Sequence, residues 1–266
     1  MSSFSRSLIL VAHGADDTPD SNQPILDLAQ SIANVTDYDF VTAAFLIGSP
    51  QLSEVLAKVP SGDVVVVPLM TSEGYYFRQI PERLTADHNA DPFRFYFARP
   101  IGVDTKLPAM VAARVQELLA EEELLPAETT VVVVGHGTRR NANSGTATRD
   151  LTTAMQPLLS PELTVKFGFI DQDPGLDEIV KQIDTQHVLV IPFLMGRGPH
   201  TTVDVPEAFG LPTGTEVKYP SRIHLGSGKI VCDLPVGALP GIQEICIETA
   251  NRSMLRNLEI ESEVAS

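Results

Sequence analysis

Tryptophan is missing from this 266-residue sequence, and cysteine occurs only at Cys232 and Cys246. Two cysteines make neither a disulfide framework nor a cysteine-rich metal site. The core must therefore rest on Val, Ile, Leu and Phe, and a reduced, cytoplasmic setting fits. Basic residues are also scarce: 19 Lys plus Arg stand against 34 Asp plus Glu, for a formal net charge of −15. That balance argues against a nucleic-acid partner, which would need a basic face. It does not exclude an anionic small molecule, because a few local arginines can override the global field. No apolar run approaches the roughly 20 residues of a membrane span, so no membrane partner is expected. The opening MSSFSRSLILVAHG has too short an apolar run for a secretory signal and reads as a first strand. No G-x-x-x-x-G-K-[ST] loop is present to cradle a nucleotide.

What the chain does have is a duplication. The order LILVAHGADD, AAFLIGSPQLSEVL, VVVVPLMTSEGYYFRQIP, ARPIGVDTKLPAM returns as VVVVGHGTRR, FGFIDQDPGLDEIV, VLVIPFLMGRGPHTTVDVP, DLPVGALPGIQEI. His13-Gly14 aligns with His136-Gly137, Phe45 with Phe169, Pro50 with Pro174, Glu54 with Glu178, and Pro68 with Pro192. The period is too long for a solenoid repeat, so each copy is a whole half-domain. Strands are predicted over 8–12, 40–47, 64–69 and 93–98, and again over 130–135, 165–170, 187–194 and 230–234. Helical patterns alternate with them, among them 107–124, 200–209 and 241–258. Buried β-branched runs alternating with helices predict an α/β fold. Two tandem lobes, 1–126 and 127–266, would each hold a mostly parallel, doubly wound four-stranded sheet flanked by helices. Residues 211–228 read as an irregular covering stretch. Glu121, Glu122 and Glu123 oppose the helix dipole and predict fraying there, and the acidic tail after Leu258 reads as loose.

Ligands of open parallel sheets bind beyond the carboxyl ends of the strands. His13 and His136 follow such ends, and the GRGPH segment carrying His200 follows another. His136 and His200 are therefore expected to face one another at the mouth of the second lobe. Neutral imidazoles bind divalent transition metals and can accept protons near neutral pH. Asp204, four residues after His200 on one helical face, could orient that ring from behind. Arg139, Arg140 and Arg197 flank the two histidines and suggest carboxylate docking. The first copy keeps His13, but the place of His200 is taken by Tyr75 or Tyr76. A phenol holds its proton near neutral pH and is a poor ligand for a divalent metal.

HG-x-R-x-x-x-N after a first strand, a Phe strand followed by P-x-L-x-E, and G-x-H-x-x-x-D-V-P together resemble the class II tetrapyrrole chelatases. These are the sirohydrochlorin cobaltochelatases and ferrochelatases of the CbiX/SirB family. The resemblance covers nearly the whole chain as two tandem units. It implies ATP-independent insertion of Co2+ or Fe2+ into sirohydrochlorin or a related anionic tetrapyrrole, in cobalamin or siroheme biosynthesis. No cofactor beyond the substrate metal is implied. By the same resemblance His136 and His200 are the catalytic and metal-binding residues, with His13 a further candidate ligand and the first lobe a degenerate half. A monomer suffices, since one chain already carries both lobes, and a homodimer is equally open. A non-catalytic metal or tetrapyrrole carrier is the alternative. A histidine phosphatase fits less well, because Gly135 stands where that signature places arginine.

Overall fold

The computed structural model describes residues 5–15, 21–86, 92–138 and 145–264, with 85–86 and 257–264 described by backbone alone. Along the chain run β1 (Ser5–Ala12), α1 (Gln23–Ala33), β2 (Phe40–Phe45), α2 (Leu52–Leu56), β3 (Gly62–Leu69), α3 (Tyr75–Ala86), β4 (Phe93–Phe97) and α4 (Leu107–Glu121). The second series is β5 (Thr129–Gly135), α5 (Thr146–Met155), β6 (Thr164–Phe169), α6 (Leu176–Lys181), β7 (His187–Pro192), α7 (Val205–Ala208), β8 (Ser221–Leu225), β9 (Gly228–Cys232) and α8 (Ile242–Val264). α8 thus carries the helix past Leu258, where the composition had suggested a loose tail.

The first sheet has four parallel strands in the order β2-β1-β3-β4. The second repeats that order as β6-β5-β7-β9 and adds β8 antiparallel to β9, giving five strands. The extra strand lies within the stretch expected to be irregular. Its side chains are mostly exposed, and Ile223 and Leu225 alternate with polar neighbours over a run too short to predict pairing. Leu8–Val11, Val64–Val67 and Val131–Val134 are fully buried. That is why these strands read as unbroken aliphatic runs: helices cover both faces of a parallel sheet.

The chain forms two compact units, Met1–Asp104 with Pro240–Ser266, and Thr105–Leu239. The division at residue 126 describes the repeats of the sequence; the units divide elsewhere. α4, the last helix of the first repeat, lies in the second unit, and α8, the last of the second, lies in the first. Each helix carries an arginine that answers a buried acid of its unit. Arg114 of α4 donates through Nε and Nη2 to Asp233, which is 0% exposed. On α8, Arg252 and Thr249 both bond Asp104.

α4 ends at Glu121, short of the predicted 124, and Glu122 stands just beyond it as a buried cap residue. Its carboxylate accepts from Arg222 Nε at 2.5 Å and Lys229 Nζ at 3.0 Å, and so fastens the β8–β9 hairpin. Burial raises the Glu122 pKa, but hydrogen bonds and charges from Lys229 and Arg222 outweigh it and hold the group below its ordinary value. Specific ion pairing holds this carboxylate at the helix end against the unfavourable dipole.

Candidate metal-handling site

In the second unit the chain adds β6 on one side of β5 and then crosses to place β7 on the other. The crevice beyond the carboxyl ends of β5 and β7 is the topological switch point, where open α/β sheets take ligands. His136 follows the last residue of β5. The backbone turns sharply behind it because Gly137 has φ +68°, and a Cβ there would lie 2.6 Å from Cβ of Gln172. Only glycine meets both demands at low cost. Gly237, in the PVG segment after β9, allows a second close approach: a Cβ would stand 2.3 Å from the Met195 carbonyl oxygen. Its N–H donates to Leu194 O at 3.0 Å, holding the start of the segment that carries His200.

The two histidines meet. Nε2 of His136 lies 3.0 Å from Nε2 of His200, with ring centroids 4.5 Å apart and planes at 84°. Both side chains are a little over two-fifths exposed, so an ion or ligand can reach them. On the far sides of the rings, His136 Nδ1 lies 2.5 Å from Gly137 O and His200 Nδ1 lies 2.5 Å from Asp204 Oδ2. A carbonyl and a carboxylate can only accept, so each Nδ1 carries a proton. In neutral rings both Nε2 atoms then present lone pairs to one another. That arrangement is satisfied by a cation shared between them, either one proton or one metal ion. A tetrahedral ion with bonds of about 2.0 Å would space two such nitrogens by about 3.3 Å, close to the distance observed.

Asp204 reaches His200 through an unusual turn. Residues His200–Asp204 form a π-helical turn that runs into α7, instead of a continuous α-helix over 200–209. The predicted pairing of His200 with Asp204 is present within it.

A further acid belongs to the site and was not singled out from sequence. Asp171, just beyond β6, places Oδ2 3.7 Å from His136 Nε2, and its N–H donates to His136 O at 2.9 Å. A signal existed: between the aligned pairs Phe45/Pro50 and Phe169/Pro174, only the copy with both histidines has acids. Among the described residues no group of three or more His, Cys, Asp or Glu side chains converges closely enough to form a complete metal cage. The pair is an open, partial ligand set.

Arg197 does not point into the opening between the rings. Its guanidinium lies over the Tyr219 ring, 5.4 Å from the centroid, and its Nη2 is within 3.5 Å of the carbonyls of Thr215 and Val217. Arg139 and Arg140 lie outside the described residues.

Among the described residues, the first unit shows the same frame with fewer candidate ligands. His13 follows β1 and sets Nδ1 3.0 Å from Gly14 O; Gly14 has φ +78°. Ile47 N–H donates to His13 O at 2.8 Å, as Asp171 does to His136, so Ile47 occupies the place of the acid. Tyr76 is the tyrosine that meets His13, edge to face at 4.3 Å, while Tyr75 is 73% exposed. Among the described residues, one imidazole stands where the second unit has two imidazoles and the carboxylates of Asp171 and Asp204.

Solved structures share this fold. A multi-domain Deinococcus radiodurans protein described as structurally similar to chelatases matches 93% of this chain at 21% identity and TM-score 0.71, and this chain spans 55% of it. A CbiX structure, described as the terminal enzyme for siroheme biosynthesis in denitrifying bacteria, matches 93% of this chain and 98% of its own at 19% identity and TM-score 0.71. A relative from Halobacterium salinarum, named "Probable sirohydrochlorin cobaltochelatase", is 30% identical over 223 residues, 76% of each chain. The CbiX family model matches residues 7–118 and 130–253, one match per repeat, and the chain belongs to that family.

Proposed function

We propose that this protein inserts a divalent metal, Co2+ or Fe2+, into sirohydrochlorin or a related anionic tetrapyrrole without ATP, as a step toward cobalamin or siroheme. The observation that carries this reading is the 3.0 Å approach of two half-exposed Nε2 atoms, each backed by an acceptor on its Nδ1. Family membership and the name of the Halobacterium relative support it.

Insertion exchanges one M2+ for two pyrrole protons, so the site must release an ion and accept protons in the same place. The His136–His200 pair suits both duties. Its Nε2 atoms hold the ion while their lone pairs are free, and one proton can take the ion's place between them once it leaves. Asp204 stabilises positive charge on the His200 ring, and Asp171 offers a second exposed carboxylate beside His136. The second pyrrole proton can pass to Asp171 or to solvent. By sequence position alone, Arg139 and Arg140 are proposed to dock substrate carboxylates.

The test is to mix the purified protein with sirohydrochlorin and Co2+ or Fe2+ and follow the absorption spectrum. Wild type should accelerate insertion, His136→Ala and His200→Ala should lose nearly all of that acceleration, and His13→Ala should lose less. Binding of the macrocycle without faster insertion would make the protein a carrier. Full activity in His200→Ala would remove the proposed site.

A further inference from the structure

We propose that Tyr219 is a positioning residue for His200, closing from outside the helix a carbonyl that Pro206 leaves without a backbone donor. The inference deepens the proposed function and rests on His200 being a metal-handling residue.

The argument starts from proline. In an α-helix through this segment, residue 206 would donate its N–H to the carbonyl of Thr202. Pro206 has no N–H, and its ring crowds that same carbonyl. The chain responds by winding more widely, and Val205 N–H reaches back to His200 O, the i→i+5 pairing of a π turn. This leaves the Thr201 carbonyl without a donor in its own helix. Its α partner, Val205, is already used, and its π partner is Pro206. Thr201 is 2% exposed, so water is a poor substitute for the lost bond.

The stretch after α7 supplies what is missing. Tyr219 Oη donates to Thr201 O at 2.5 Å, and Gly214 N–H donates to Thr202 O at 2.7 Å. Arg197 lies over the Tyr219 ring and bonds the carbonyls of Thr215 and Val217, which fixes the strap from outside. Burial pushes the Tyr219 phenol up to about 12, so it stays a donor wherever the protein would work. The carbonyl it holds belongs to the residue next to His200. The same turn sets Asp204 Oδ2 2.5 Å from His200 Nδ1. The strap thus acts on the metal site through backbone geometry, with Tyr219 touching neither metal nor substrate.

This coupling has a specific signature. If Tyr219 matters because Pro206 orphans a carbonyl, removing its hydroxyl should hurt only while Pro206 is present. The experiment is a double-mutant cycle on the full chain with Tyr219→Phe, Pro206→Ala and both. Co2+ affinity is read by titrating the visible absorption of the bound ion, kcat and KM by insertion into sirohydrochlorin, and folding by thermal unfolding. Tyr219→Phe should stay folded, weaken Co2+ binding about tenfold and lower kcat by a similar factor, with KM for the macrocycle unchanged. In the Pro206→Ala background the same substitution should change Co2+ affinity less than about twofold. Unchanged Co2+ affinity in folded Tyr219→Phe, or equal losses in both backgrounds, would overturn the proposal. A wild type that binds Co2+ at the pair but does not insert it would sink the enzyme reading and leave the affinity cycle to decide the role of Tyr219.

Discussion

At the scale of the residue, acceptors dictate where the protons of the His136–His200 pair lie. Gly137 O and Asp204 Oδ2 each claim an Nδ1–H, so the two Nε2 atoms are left as a matched pair of lone pairs. Asp204 is the stronger partner of the two because it carries charge. Asp204→Asn keeps an acceptor in reach but removes that charge. We expect the insertion rate to fall about 10- to 100-fold with the circular dichroism spectrum unchanged, and a wild-type rate would show that the carboxylate does no more than pack. His136, His200 and Asp204 were all legible in sequence: two follow strand ends in a duplicated pattern, and the third stands four residues on. Asp171 carries little signal because a lone acid just past a strand is common, and only the register of β6 beside β5 brings it to His136. Proximity in sequence alone suggests a substrate contact for Arg197. Its partners are carbonyls at 215 and 217, which reach it only after the strap folds back.

At the scale of the element, buried strands were easy to read and exposed pairing was not. β1, β3, β5 and β7 announce themselves as aliphatic runs because both of their faces are covered. β8 does not, since an edge strand with mostly exposed side chains is held by pairing with β9 and by Arg222 on Glu122. The Glu122 cluster carries a pH consequence. Its carboxyl lies below its ordinary value in the folded chain, so the native state is stabilised above the ordinary glutamate value of about 4.3 and loses that contribution as pH falls from there through the lower folded-state value. Urea midpoints measured across acidic pH should therefore drop more steeply for wild type than for Glu122→Gln. Parallel profiles would mean the cluster contributes nothing. The π turn was equally hidden: 200–209 reads as one helical pattern, and the wider winding shows only where Val205 bonds His200.

At the scale of the whole molecule, repeats and compact units are different divisions of one chain. Each repeat ends in a helix that belongs to the other unit, and sequence similarity follows descent, whereas packing follows buried partners such as Asp233 and Asp104. The two cysteines make this partition measurable, because Cys232 lies in the second unit and Cys246 in the first, both buried. Burial pushes the Cys246 thiol up to about 12 and the Cys232 thiol higher still. Thiolate is the reactive form, so neither should be modified by a thiol reagent in the native protein. Titrating with urea while mapping the labelled cysteine should show each thiol appearing with the opening of its own unit. Rapid labelling of either one in buffer would mean its unit opens without denaturant.

The sequence by itself determined the duplication, the alternation of strand and helix, and the two histidines and aspartate of one copy, because periodicity and spacing are properties of the chain alone. The tertiary structure decided which helix closes which unit, that β8 joins the second sheet, that Asp171 approaches His136, and that Arg197 and Tyr219 brace the turn behind His200. Those outcomes depend on where buried carbonyls and carboxylates find donors, and the donors come from segments far away along the chain.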